Sequence, residues 1–263
     1  MADRLDIILV NKGLARSREK AKSLIKDGKV YINNIMQTKA SQIIDEDVEI
    51  EIRGEQDRYV SRGGYKLEKA VNEFGLSLKD LVCMDIGAST GGFTDCMLQN
   101  GARLVYAIDV GHDQLHDSLR LDNRVVSMEG VNFRYLEEDE LPDKPHFASC
   151  DVSFISLTHI LPTAYKLLSD DGEMVCLIKP QFEAGKENIN KKGVVKDKKI
   201  HIKVLREILQ FAEDSGFFVR NLTYSPIKGP EGNIEYLMYI TKNNKSEGVF
   251  VNAANTVSEA FNG

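Results

Sequence analysis

The chain has little cysteine, no long hydrophobic run and no surplus of positive charge. Its four cysteines, Cys83, Cys96, Cys150 and Cys176, are widely spaced and form no C-x-x-C pair. That argues against the usual zinc frameworks and against a disulfide-stapled scaffold, so reduced core thiols and no metal are expected. No apolar run is longer than that of Met174 to Ile178, five residues, far below the roughly 20 residues that a membrane-spanning helix needs. Met1-Ala2-Asp3-Arg4-Leu5-Asp6 carries acid at once with no apolar stretch behind it, so no secretion signal is expected and the predicted location is the cytoplasm. With 34 Lys and Arg against 40 Asp and Glu, the net charge is -6. This argues against a simple basic nucleic-acid coat, although a basic patch on an acidic body remains compatible with it.

What is there suits a folded protein: 263 residues, 42% hydrophobic and 28% charged, enough for one large domain or two ordinary ones. The first part reads as a small α+β module. Arg4 to Leu14 has helical spacing, and Ser17 suits the N-cap of a second helix, Arg18 to Asp27, closed by Gly28. Val30–Asn33 and Val48–Ile52 alternate like half-buried strands, with Asn33-Asn34 as a turn. Charge is segregated here: Asn11 to Ala40 holds eight basic and two acidic residues, while Ser41 to Asp57 holds seven acids and only Arg53. Arg18, Lys22 and Lys26 fall at i, i+4, i+8 on one helix face. Like charges so stacked are mildly destabilising, and a polyanion partner explains them better than an idle solvated face.

Arg4-Leu5-Asp6, Gly13-Leu14-Ala15-Arg16-Ser17-Arg18, Ala21, Leu24-Ile25 and Gly28-Lys29-Val30-Tyr31-Ile32-Asn33 together resemble an S4 RNA-binding domain. By that resemblance Arg4, Arg16, Ser17, Arg18, Lys20, Lys22 and Lys29 are candidate RNA contacts. Such a domain occurs in several kinds of RNA enzyme and in ribosomal proteins, so it does not by itself name an activity.

The expected division is a module over residues 1–56, a linker over 57–61, a larger domain over 62–243, and a polar tail over 244–263 with no assignable structure. In the larger domain a helix, Tyr65 to Phe74, precedes an alternation of strand-like and helix-like runs. The strand-like runs are Leu81–Ile86, Leu104–Ile108, Val125–Met128, Phe147–Cys150, Met174–Ile178, Phe217–Leu222 and Glu235–Ile240. Phe93–Gln99, Ser156–Leu168 and Asp197–Ser215 are the helices between them. Such alternation predicts an α/β fold with a mostly parallel sheet. The last two strands lie too close for a crossover helix and should pair antiparallel.

Asp85-Ile86-Gly87-Ala88-Ser89-Thr90-Gly91-Gly92-Phe93 follows the first of these strands and opens a helix, where glycines let the backbone approach a ligand. The spacing fits neither G-x-G-x-x-G nor G-x-x-x-x-G-K-[ST]. Asp85 would repel a pyrophosphate and suit a cationic ligand such as S-adenosylmethionine (SAM). Asp109 ends the next strand, 22 residues beyond Gly87, where an acid can accept bonds from both ribose hydroxyls of a nucleoside.

This second part resembles the class I SAM-dependent methyltransferases, and more narrowly the FtsJ group of ribose 2′-O-methyltransferases. The resemblance implies a Rossmann-like, seven-stranded sheet with an antiparallel last strand. It implies that Asp85, Gly87, Ala88, Ser89, Gly91, Gly92 and Phe93 line the methionine side, that Asp109 holds the ribose, and that Asn132 and Asp151 flank the adenine and sulfonium. Lys66, Asp151, Lys179 and Glu235 match, in order and context, the Lys-Asp-Lys-Glu tetrad of that group. Lys179 is there the residue that takes the proton from the ribose 2′-hydroxyl or orients it, and Arg62 is a further candidate RNA contact. Lys179 to Lys203 holds eight lysines and three acids, a stretch that beside a cleft suits RNA backbone.

An S4 module, a short linker and an FtsJ-like domain in this order resemble the TlyA family over residues 3–241. The resemblance implies methyl transfer to a cytidine 2′-hydroxyl of ribosomal RNA within a ribosomal subunit. Members of that family are often labelled haemolysins, so a membrane-lytic protein is an alternative, as is an RNA-binding module without catalysis. No export signal, amphipathic spanning segment or disulfide supports lysis, and the complete tetrad argues against a noncatalytic module.

Overall fold

The computed structural model describes residues 2–15, 17–53, 58–244 and 251–263. The candidate RNA contact Arg16, Asp57 of the expected linker, and Val249-Phe250 of the tail therefore lie outside the described residues. The chain divides into two units, Met1–Arg58 and Tyr59–Gly263.

In the first unit β1 (Ala2–Arg4) leads into α1 (Leu5–Asn11), followed by α2 (Arg18–Lys26), β2 (Val30–Ile32), β3 (Ile35–Met36), β4 (Ile43–Asp45) and β5 (Ile50–Ile52). Leu5, Ile8 and Leu9 of α1 meet Ala21, Leu24 and Ile25 of α2 and Val30 of β2 in a closed core. Each such fully buried aliphatic side chain is worth about 1.5–3 kcal/mol, which is how so short a unit holds together. Ser17 caps α2, its side chain accepting from the Lys20 amide at 3.2 Å. Asn33 and Asn34 take left-handed φ angles of 49° and 65°, a tight turn that joins β2 to β3. The first helix is shorter than its spacing suggests, because Arg4 pairs as a strand residue with Ile43 and the chain turns out of the helix after Asn11, at the left-handed Gly13.

The second unit contains α3 (Gly63–Phe74), β6 (Val82–Ile86), α4 (Gly92–Gln99), β7 (Leu104–Asp109), α5 (Asp117–Arg120), β8 (Val125–Glu129), β9 (Phe147–Cys150), α6 (Leu161–Leu167), β10 (Glu173–Ile178), α7 (Pro180–Glu183), α8 (Lys198–Asp214), β11 (Phe218–Tyr224), β12 (Tyr236–Thr241) and α9 (Ala253–Asn262). Its seven strands run in the order β11-β12-β10-β9-β6-β7-β8. All neighbours from β10 to β8 are parallel, and β12 lies antiparallel between β10 and β11. Apolar cores cover both faces: α3 and α4 on one, α6, α8 and α9 on the other. That is why β6, β9 and β10 are nearly continuous apolar runs rather than alternating ones.

The unit takes in more of the chain than its motifs suggest. Tyr59, expected in the linker, is 2% exposed, packs edge-on against Tyr65, and is followed by a Val60 amide that donates to Asp95 at 2.8 Å. The tail, too, has structure: Ala253, Val257 and Ala260 bury one face of α9 in the core. Asn252 caps this helix through the amides of Ala254 and Asn255. A ten-residue helix with only three small buried apolar residues leaves too weak a periodicity to read without its partner surface. The four cysteines are buried and form no disulfide with one another, as their spacing predicts.

Candidate active site

The parallel topology brings the ends of β6, β7, β9 and β10 to one edge of the sheet, where open α/β folds bind ligands. Between β6 and α4 the chain turns under the left-handed φ of Gly87, 82°. A side chain there would meet the Asp151 carbonyl oxygen at 2.7 Å, and one at Gly92 would meet the Gly64 amide nitrogen at 2.8 Å. Glycine is therefore required at both positions for the loop to lie this close to its neighbours.

Two adjoining cavities follow the loop. One, about 550 Å³, is lined by Gly87, Ala88, Ser89, Gly92 and Phe93 and by all four tetrad residues. The other, about 390 Å³, is lined by Gly87, Ser89, Asp109, Asn132 and Asp151 together with apolar Ile108, Val131 and Phe133. Asp109 is held facing its cavity by the Ser89 amide at 2.8 Å and the Gly111 amide at 2.7 Å. Asn132 Oδ1 accepts from the Arg134 amide at 3.2 Å.

Asp85 corrects an expectation. Its place before the glycines suggests a carboxylate facing a cationic ligand, yet it is fully buried and lines neither cavity. Its oxygens accept from the Thr94 amide and hydroxyl at 2.8 and 2.7 Å and from the Ser149 hydroxyl at 3.0 Å. Burial pushes its carboxyl up to about 6, with these hydrogen bonds pulling the other way. Asp85 thus ties the start of α4 to β6 and β9 from beneath the loop. Gly91 likewise sits off the cavities, against Leu115 and Leu119.

The tetrad converges from four distant parts of the chain. Lys66, on α3, reaches Glu235 at 2.7 Å and Asp151 at 3.4 Å; Lys179, directly after β10, reaches Asp151 at 2.5 Å. Lys179 is 8% and Glu235 1% exposed. Burial works against the charge of Lys66, but Asp151 and Glu235 outweigh it and hold this lysine above its ordinary pKa. Lys66 is therefore a fixed cation and not a base. Two participants were not legible from motif spacing. Ser153 accepts from the Lys179 ammonium at 3.0 Å, and Gln181 donates to Glu235 at 3.4 Å. Both stand within two residues of a tetrad member, which is the only signal the sequence carries for them. Arg62 lines the mouth of the larger cavity beside Lys228.

In the first unit the cationic candidates divide. Asp6 is buried, and Arg4 and Arg18 both bond it, at 2.9 and 3.1 Å. Arg4 foremost, against the opposing effect of burial and with help from Arg18, holds the Asp6 carboxyl at about 2. Part of the charge of Arg4 and Arg18 is thus committed inside the unit, and Ser17 is committed to its cap, whereas Lys22 and Lys26 are exposed on α2. A carboxyl lowered from its ordinary 3.8 to about 2 contributes stability that is complete above pH 4 and is lost as pH falls towards 2. Amide-exchange protection of residues 5–27 in the full-length protein is expected to fall over that window. In Asp6→Asn, the same protection should be lower at neutral pH and flat between pH 4 and 2.

Among the described residues no helix is long and apolar enough to cross a membrane, and no cluster of His, Cys, Asp and Glu could hold a metal. The sheet order, the glycine loop and the strand-end carboxylate define a class I SAM-dependent methyltransferase fold. The family model for FtsJ-like methyltransferases matches residues 59–242, and that for the S4 domain matches residues 3–50. YqxC of Bacillus subtilis, by its name a candidate rRNA methyltransferase, is 51% identical over 90% of this chain and 85% of its own. The Mycobacterium tuberculosis 16S/23S rRNA (cytidine-2′-O)-methyltransferase TlyA is 38% identical over 90% of this chain and 89% of its own. A solved structure of a candidate hemolysin from Streptococcus thermophilus is 48% identical and superposes with a TM-score of 0.78, covering 99% of this chain and 96% of that one. The chain belongs to the FtsJ-like methyltransferases and, with its S4 domain, to the TlyA family.

Proposed function

We propose that this protein transfers a methyl group from SAM to the ribose 2′-hydroxyl of a cytidine in ribosomal RNA, within a ribosomal subunit, and so works in the cytoplasm. The observation that carries this reading is the cluster of Lys66, Asp151, Lys179 and Glu235 on the wall of a cavity continuous with the glycine loop. The residues present suit the cofactor. A close-packed glycine turn accepts its amino-acid end, and the Asp109 carboxylate, braced by two amides, accepts from ribose hydroxyls. The apolar patch of Ile108, Val131 and Phe133 suits a purine. SAM, when bound, supplies a methyl group already activated by a positive sulfur.

The remaining work is alignment and charge. Lys66, Asp151 and Glu235 form a frame of net charge -1 that the Lys179 ammonium brings to zero, and Asp151 aims that ammonium at the cavity. That ammonium donates to the ribose oxygen, lines it up with the methyl carbon and stabilises the negative charge that builds on it. The hydroxyl proton passes to water as the new oxygen–methyl bond forms, and its loss is what leaves negative charge on the oxygen for the ammonium to stabilise.

Incubating the protein with labelled SAM and separate unmodified ribosomal subunits, then mapping the labelled nucleotide, tests the reading. Label on a cytidine 2′-oxygen is expected; label on a base, or none, overturns it. RNA binding by the first unit has its own test. Lys22→Glu with Lys26→Glu spares the Asp6 pairs and is expected to weaken RNA binding at least tenfold near 0.1 M salt. The slope of log affinity against log salt should fall by about 1.4–1.8, from about 0.7–0.9 per lost phosphate contact. An unchanged slope would remove α2 from the interface.

A further inference from the structure

Between α7 and α8 the chain runs as an irregular strap. Lys186, Lys191, Lys192 and Lys196 stand exposed on it, and Lys198 and Lys199 open α8. Of its two acids, Asp197 is engaged as the cap of α8, accepting from the Lys199 amide at 2.8 Å; Glu187 is the other. Among the described residues no carboxylate pairs with Lys186, Lys191, Lys192 or Lys196.

Exposed loops of this kind are ordinarily loose, but this one is fixed at three points. Asn190 Oδ1 accepts from the amides of Lys192 and Val194, at 2.8 and 3.1 Å. Buried Asn233 donates to the Gly193 carbonyl at 3.1 Å. Buried His201 lies 2.9 Å from the Val195 carbonyl and 2.8 Å from the Tyr236 hydroxyl. A carbonyl can only accept, so His201 Nε2 carries the hydrogen and Nδ1 accepts from Tyr236.

The anchors stand on either side of Glu235: Asn233 is two residues before it and Tyr236 one after. The strap's other end leaves through α7, directly from Lys179. A merely solvated lysine loop needs no such fixing, and burying an Asn and a His costs free energy unless both are satisfied.

We propose that Asn233 and His201 are positioning residues that hold the strap, residues 186–199, as an RNA-backbone docking surface in register with Lys179 and Glu235. The inference rests on the RNA methylation proposed above. Phosphates seated on the lysines fix where the neighbouring ribose falls, and an error of about 1 Å there can cost about a hundredfold in rate.

Steady-state methylation of unmodified ribosomal subunits by the full-length protein tests it. Wild-type activity on the subunits must be present; its absence refutes the proposed function, whereas the strap is judged only against an active wild type. Lys191→Glu, Lys192→Glu and Lys196→Glu together are expected to raise KM for the subunit at least tenfold and to flatten its salt dependence. SAM affinity should be unchanged. Asn233→Ala and His201→Leu keep the lysines, so the salt slope should persist while kcat falls about tenfold or more. His201→Gln, which retains a donor for Val195, should recover most of that loss. If His201→Leu does not fold, Asn233→Ala carries the same test from the other anchor. Wild-type KM and slope in the triple variant, or wild-type kcat in Asn233→Ala, would overturn the proposal. So would a defect seen with whole subunits but absent on protein-free rRNA, which would make the strap's partner a ribosomal protein.

Discussion

Lys179→Ala is expected to reduce methyl transfer by about 10²–10⁴, the range that one positioned proton-handling or charge-stabilising group supplies, while SAM binding stays within a few-fold. Lys179 sits on the wall that the ribose must approach, 2.5 Å from Asp151 and 3.0 Å from Ser153. Asp109 and the glycine loop hold their geometry without it. Single-turnover transfer at saturating SAM, with SAM affinity measured by calorimetry, separates the two effects. Full activity in Lys179→Ala would remove the tetrad from the chemistry, and a matching collapse of SAM affinity would make Lys179 a binding residue instead. The variant should remain folded, because Asp151 keeps its contact with Lys66.

Lys66→Met carries the largest expected loss of stability. Glu235 is 1% exposed and Lys66 bonds it at 2.7 Å. Removing one partner of a buried ion pair leaves an uncompensated charge and costs about 3–5 kcal/mol. For a unit of this size that lowers Tm by about 6–20 °C. Activity should be lost as well, so activity alone cannot distinguish misplacement from unfolding. The double variant Lys66→Met, Glu235→Gln does distinguish them. It removes the stranded charge, and the amide can still meet Gln181, so Tm should recover by more than half while methyl transfer stays absent. A single variant that melts like wild type would show that Glu235 does not depend on Lys66.

Much of the site was legible before the fold was known. The glycine loop reads as a sharp approach because glycines cluster between a strand and a helix. Asp109 reads as a ribose ligand because its strand ends there. Lys179 and Asp151 directly follow apolar runs and had to emerge at one sheet edge. Lys66 and Glu235 were legible only through family resemblance. One lies on a helix ahead of the sheet and the other stands just before an antiparallel strand, so no spacing rule brings them together.

Asp85 misled for a definite reason: an acid before a glycine turn looks alike whether it faces a ligand or the core. Only the Thr94 and Ser149 hydroxyls, nine and 64 residues away, decide that it faces inward. Arg18 is similar, since its helix-face position beside Lys22 and Lys26 says nothing of Asp6, 12 residues earlier.

By itself the sequence determined which elements form and in what alternation, because hydrophobic period, caps and glycine turns act over a few residues. It also determined that acidic total charge conceals two basic stretches. Tertiary structure decided which of those charges are available and which are committed. It gave Asp6 its two arginines, set Lys66 between Asp151 and Glu235, and fixed the lysine strap to Asn233 and His201. The reason is range: backbone preferences are local, whereas burying a charge or polar group requires a partner, and the fold draws that partner from anywhere in the chain.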